Sequence, residues 1–92
     1  HKRRLRLLSL PCATGEEAYS IAITLLRAGY PADLFEVEGI DISPIAIAKA
    51  ESALYGKSSY RGTDPEDFAY YFNPVDEKWA VAPFVKNQVR FS

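Results

Sequence analysis

The sequence predicts an α/β chain of three parallel strands with flanking helices, and three observations carry that prediction. Leu5–Leu10 is a short apolar run of strand length that leads through a tight loop into the helical stretch Gly15–Ala28. Phe35-Glu36-Val37-Glu38-Gly39-Ile40-Asp41 alternates apolar and polar residues as a strand does, and Ser43-Pro44 directly after it opens a second helix. Val89-Arg90-Phe91 closes the series as a third strand. Strand, helix, strand, helix, strand is the pattern of a parallel sheet joined by crossovers.

Within the first unit, Thr14 is the expected N-cap, and Glu17 three residues later completes a capping box. Gly29 is placed to end the helix in the left-handed conformation, and Pro31 blocks continuation. Ala18, Tyr19, Ile21, Ala22, Ile23, Leu25 and Leu26 make this helix apolar over most of its circumference. Such a helix needs cover on two sides, only one of which the sheet provides.

The second helix takes Ser43 as N-cap and Pro44 as its first residue, and carries Ile45, Ala46, Ile47, Ala48, Ala50, Ala53 and Leu54. Its many alanines imply close approach to the sheet. Tyr55–Thr63 is polar and glycine-containing and is expected to be loop. Asp64-Pro65 starts a third helix reaching about Tyr71, which Asn73-Pro74 breaks. Trp79-Ala80-Val81 is expected as a short strand and Pro83–Asn87 as a helical turn.

The 92 residues make one domain at most. A chain of that length buries only about 60–65% of the surface its unfolded form exposes, so the core is small. A net charge of -1 offers no general attraction to nucleic acid or to an anionic membrane. The basic cluster Lys2, Arg3, Arg4 and Arg6 reads as a solvated approach to the first strand. The single Cys12 excludes an internal disulfide, fits a reducing compartment, and is expected as a small buried side chain. No apolar run approaches the roughly 20 residues of a membrane span. The chain has no methionine and begins and ends close to strands, as expected of a piece of a longer protein.

Loops at the carboxyl ends of parallel strands are where open α/β sheets bind ligands. A dinucleotide needs a glycine-rich cradle for its diphosphate. The loop after the first strand offers one glycine, Gly15, and sets Glu16 and Glu17 where a diphosphate would sit. Like charges oppose each other there. S-adenosylmethionine has no phosphate but has a sulfonium and an ammonium, which an acidic loop suits. Glu16 and Glu17 also have a purely local use, satisfying the first N–H groups of the helix and its dipole. Asp41 ends the second strand on the same rim of the sheet. It fits two roles: accepting hydrogen bonds from ribose hydroxyls, or complementing the start of the second helix.

Cys12-Ala13-Thr14-Gly15-Glu16-Glu17-Ala18-Tyr19-Ser20-Ile21-Ala22 and Gly39-Ile40-Asp41-Ile42-Ser43 together resemble the CheR-type chemotaxis receptor methyltransferases. The likeness continues through Ala48-Lys49-Ala50, Tyr55, Ser59-Tyr60-Arg61-Gly62, Tyr71-Phe72 and Val89-Arg90-Phe91, nearly the whole chain from about Leu5. It implies a partial Rossmann-like methyltransferase fold. Residues 1–92 would be the N-terminal half of the catalytic domain of a bacterial, cytoplasmic enzyme. That enzyme would move a methyl group from S-adenosylmethionine to glutamate side chains of a chemoreceptor. By position, Ala13, Thr14 and Gly15 would underlie the methionine part of the cofactor, Glu17 would bind its amino group, Asp41 its ribose, and Ile42 would lie against adenine. The family often has Pro at the position of Ala18 and a second Asp at that of Ser43. Its N-terminal helical domain, its later strands with an Arg-Asn motif, and the β-subdomain that docks a receptor tail are expected to lie outside this chain.

Methyl transfer to a carboxylate, already ionised at pH 7, needs alignment and exclusion of water rather than a general base. No catalytic residue and no metal ligand are therefore assigned. Arg61 is expected to be a surface arginine, and the fragment alone to be inactive. Two other functions compete: a non-enzymatic methyltransferase-like binding or sensing module, and a small-molecule methyltransferase. The bare edge of the first strand and the open side of the first helix are expected to be covered by self-association.

Overall fold

The computed structural model describes residues 3–56 and 69–92. Among the described residues the elements run in the order β1 (Leu5–Ser9), α1 (Glu16–Arg27), β2 (Phe35–Gly39), α2 (Pro44–Ser52), β3 (Leu54–Tyr55), β4 (Phe72–Val75), β5 (Lys78–Val81), α3 (Pro83–Lys86) and β6 (Val89–Phe91). A 3-10 turn, Ala32–Leu34, precedes β2.

The three expected parallel strands form one sheet in the order β1-β2-β6. Leu5 pairs with Phe35, Ser9 with Gly39, and Gly39 in turn with Phe91. Because side chains alternate along a strand, Leu5, Leu7, Phe35, Val37, Val89 and Phe91 share one face with the core. Helix α1 packs on this face across all three strands, and α2 and α3 contact it through β6. The other face is charged: Arg90 meets Glu36 at 3.3 Å and Arg6 meets Glu38 at 3.5 Å, the arginines exposed and the glutamates half-buried. Pairs this exposed add little stability, but they keep that face polar. Arg3 and Arg4 are exposed, as expected of a solvated lead-in.

Helix α1 ends as its sequence predicts. Gly29 has φ 84°, its N–H bonds the Leu26 carbonyl at 3.0 Å, and the Tyr30 N–H bonds the Leu25 carbonyl at 2.9 Å. That pair of bonds is a Schellman ending, and it satisfies two carbonyls the helix leaves open. Helix α2 begins as predicted, with Pro44 first and the Ser43 Oγ accepting from the Ala46 N–H at 3.2 Å. It stops earlier than expected. Ala53 turns into the left-handed region at φ 55°, and Leu54–Tyr55 leave as strand β3 rather than as helix and loop.

That short strand belongs to a second sheet. β3, β5 and β4 form an antiparallel sheet, with Tyr55 opposite Trp79 and Asn73 opposite Ala80. Of this sheet the sequence predicts only the strand at Trp79–Val81, and the resemblance places the family's β-subdomain outside the chain; β3 and β4 are additions to that expectation. Asn73-Pro74 does end a helical stretch, since residues 69–71 are helical, but it does so inside β4. Pro74 is tolerated there because β4 lies at the edge of its sheet. Asp76 at φ 54° turns the chain back into β5. The start of the helix expected from Asp64 and the loop carrying Arg61 lie outside the described residues. Among the described residues no helix is long and apolar enough to cross a membrane.

Candidate ligand site at the carboxyl rim of the parallel sheet

β1 and β2 run parallel, so the loops that follow them, 10–15 and 40–43, leave from the same rim. Backbone and side chain join the two. The Cys12 N–H bonds the Ile40 carbonyl at 2.8 Å. The Asp41 carboxylate accepts from the Ala13 N–H through Oδ2 and from the Ser43 N–H through Oδ1, each at 2.9 Å. Asp41 is thus a staple across both loops, and each of its oxygens retains a further acceptor position.

The first loop is tightly wound. Ala13 has φ 49° and Gly15 φ 95°. The left-handed region costs a residue with a Cβ about 1–2 kcal/mol, and the charged bond from Ala13 to Asp41 offsets that strain. Gly15 is required on two counts. Beyond its φ, a Cβ there would lie 2.8 Å from the Ala50 Cβ, 2.9 Å from the Tyr55 hydroxyl and 3.1 Å from the Phe91 ring.

Gly15, and not Thr14, is the N-cap of α1, and no side chain caps it. The predicted capping box does not form. The left-handed turn at Gly15 moves the helix start one residue on, and the Thr14 hydroxyl donates to the Glu16 carboxylate instead. The Thr14 carbonyl accepts from the Tyr55 hydroxyl at 2.6 Å. Beneath the loop lies an aromatic floor: Tyr19 meets Phe91 edge to face at 5.4 Å and Tyr55 at 6.2 Å. The Tyr19 hydroxyl donates to the Ala50 carbonyl at 2.8 Å. Burial, and then Glu51, push the Tyr19 pKa up to about 12. Cys12 is buried, as expected, and its thiol pKa is raised by burial and by Asp41.

Of the residues singled out from sequence, Ala13, Thr14, Gly15 and Asp41 are brought into one hydrogen-bonded unit. Glu17 is exposed on the first turn of α1, where it lines a groove of about 300 Å³ with Leu7, Ser20, Ile21, Thr24 and Leu25. That groove is the uncovered side of α1 beside the β1 edge. Ile42 is fully exposed next to Asp41, and Ile45 nearby is 83% exposed. Sequence reasoning assigned Tyr55 to a loop and so gave it no structural role. Its signals in the sequence are its place among the residues that carry the family resemblance and its position shortly after the end of α2.

An open α/β sheet whose paired rim loops carry a strand-end carboxylate is the ground plan of a nucleoside-binding protein. The family model described as "CheR methyltransferase, SAM binding domain" matches residues 1–92. The chain is 47% identical over 87 residues to the probable biofilm formation methyltransferase WspC of Pseudomonas putida, an alignment covering 95% of this chain and 20% of that protein. It is 45% identical over 89 residues to the WspC of Pseudomonas aeruginosa, covering 97% and 21%. With the chemotaxis protein methyltransferase of Salmonella typhimurium it shares 35% identity over 101 aligned positions, covering 100% and 35%. The chain belongs to the CheR methyltransferase SAM-binding domain family, whose methyl donor is S-adenosylmethionine. It spans about a fifth of the length of the two WspC proteins.

The donor set fits that molecule. The rim has no glycine-rich diphosphate cradle, and Glu16 and Glu17 place two acidic side chains in the first turn of α1 beside the loop. Asp41 has acceptor positions left for a pair of hydroxyls, and the apolar Ile42 stands uncovered beside it.

Proposed function

We propose that residues 1–92 are the N-terminal half of the catalytic domain, with a partial Rossmann-like fold, of a longer cytoplasmic methyltransferase. The parent enzyme esterifies glutamate side chains of a methyl-accepting receptor. The observation that carries this reading is the Asp41 staple: a carboxylate fixed by two backbone N–H groups, with its remaining acceptor positions beside a bare apolar side chain. Asp41 would hold the ribose hydroxyls and Ile42 would lie against the adenine. The backbone of Ala13, Thr14 and Gly15 would pass under the methionine part, and Glu17 would attract its ammonium. When bound, S-adenosylmethionine supplies a methyl group activated by the sulfonium charge. The contribution of this chain is to orient the cofactor and exclude water from one side of it. No residue here is asked to move a proton.

The relatives also bear on the receptor. Identity to the two WspC proteins, 47% and 45%, exceeds that to the chemotaxis methyltransferase of Salmonella typhimurium at 35%. This favours a receptor that signals to biofilm formation over one that controls swimming. The open side of α1 and the edge of β1 are surfaces that residues 1–92 alone would cover by self-association.

The test uses the full-length parent protein, labelled S-adenosylmethionine and receptor cytoplasmic fragments. Base-labile label should pass to receptor glutamates, and Asp41→Ala should abolish both transfer and S-adenosylhomocysteine binding. Residues 1–92 alone should transfer nothing. Tight cofactor binding without transfer to any receptor would favour a sensing module. Transfer to small molecules alone would favour a small-molecule enzyme.

A further inference from the structure

The antiparallel sheet reaches the ligand loop through the side chain of Tyr55. Tyr55 lies in β3, paired with Trp79 of β5, and is 1% exposed. Its hydroxyl donates to the Thr14 carbonyl at 2.6 Å. The Lys49 ammonium lies 5.5 Å from the centre of its ring and donates to the Leu54 carbonyl at 2.6 Å, which steadies the strand that carries it. The loop therefore has a fastening on each side of its tight turn. Asp41 takes the Ala13 N–H, and Tyr55 takes the carbonyl of the following residue, Thr14.

The two fastenings act on peptide groups on either side of the Ala13–Thr14 peptide, within a strained segment. Ala13 at φ 49° and Gly15 at φ 95° both sit in the left-handed region, with Thr14 between them. A loop in that conformation persists only while its surroundings hold it. Without the Tyr55 hydroxyl the Thr14 carbonyl loses an inward partner, and the peptide groups on either side of it can turn. Those are the groups proposed to face the methionine part of the cofactor.

We propose that Tyr55 is a positioning residue for the ligand loop: its hydroxyl fixes the Thr14 carbonyl and thereby the shape that residues 13–15 present to the methionine end of S-adenosylmethionine. The role rests on the reading of the rim as the cofactor seat. It is distinct from that reading because Tyr55 acts from another sheet and through the loop backbone.

The experiment compares Tyr55→Phe with Tyr19→Phe in the full-length protein. Each removes one tyrosine hydroxyl bonded to a backbone carbonyl within the same aromatic floor, but only Tyr55 bonds the loop. S-adenosylhomocysteine affinity is read by calorimetry and kinetics with a receptor fragment. Tyr55→Phe should weaken affinity about five- to tenfold, the effect of one hydrogen bond. It should raise the KM for S-adenosylmethionine by the same factor, and leave kcat and the receptor KM within about twofold. Tyr19→Phe should leave cofactor affinity unchanged. Equal losses in both variants, or no loss in Tyr55→Phe while Asp41→Ala abolishes binding, would overturn the role of Tyr55 and leave the cofactor seat standing. Undiminished binding in Asp41→Ala would overturn the seat itself.

Discussion

The two loops at the carboxyl rim solve the same problem differently. Both take the chain from a parallel strand into a helix. The loop after β2 sets its helix start locally: Ser43 caps α2 with its own side chain and Pro44 fixes the first helical residue. The loop after β1 has a local turn bond from the Gly15 N–H to the Cys12 carbonyl at 2.9 Å, but its N-cap Gly15 has no side chain to offer, and Asp41, Tyr55 and the Ile40 carbonyl hold it from outside. Local chemistry sets the helix start after β2; tertiary contact sets the one after β1. The loop that depends on its neighbours is also the one with the more specialised surface, since its N–H and carbonyl groups are turned by partners that a local turn would not need.

The comparison is tested most severely at Gly15. Gly15→Ala should destabilise by about 3 kcal/mol, combining left-handed strain with overpacking against Ala50 and Tyr55. Gly29 is the control: its φ is 84° but nothing lies within 4 Å of an added Cβ, so Gly29→Ala should cost about 1 kcal/mol. Urea unfolding measures both. Equal costs would mean that Gly15 matters only for its backbone angle and that the packed loop is not a distinct case.

The next effect separates the outside fastening from the local cap. Asp41→Ala strips the acceptor from two N–H groups and should cost about 2 kcal/mol, whereas Ser43→Ala should cost about 1 kcal/mol. Both are read from denaturation midpoints at equal slope. A larger loss from Ser43→Ala would reverse the assignment of which loop depends on its surroundings.

The smallest effect concerns the floor beneath the first loop. Tyr19 keeps its proton in the folded state up to about pH 12, while in the unfolded chain it ionises near 10. Between those values the folded state binds more protons than the unfolded one, so stability falls as pH rises through that window and is unaffected below it. Tyr19→Phe should show a shallower loss of stability from pH 10 to 11.5 than the parent. Identical slopes would place the Tyr19 hydroxyl in water rather than against Ala50.

The parallel sheet, the end of α1 and the start of α2 were legible because each rests on signals a few residues long. Period-two alternation marks Phe35–Gly39, Ser43-Pro44 marks a helix start, and Gly29 before Pro31 marks a helix end. The antiparallel sheet was not. β3 has two residues and β4 contains a proline, so neither carries a pattern of its own. Each becomes a strand only by pairing with β5. The capping box failed for a related reason. Thr14 and Glu17 have the right spacing, but the crowding of Ala50, Tyr55 and Phe91 around Gly15 selects another turn.

The sequence alone determined that Asp41 and the Thr14 loop share a rim, because two successive parallel strands send their following loops to the same side. It also determined the acidic, glycine-poor character of that rim, which is a matter of composition. Only the tertiary structure decided that Asp41 fastens both loops, that Tyr55 arrives from a second sheet, and that Glu17 faces a groove rather than a cap. These contacts join residues as many as 41 positions apart, and no local propensity encodes which distant side chain will fill a given hydrogen bond.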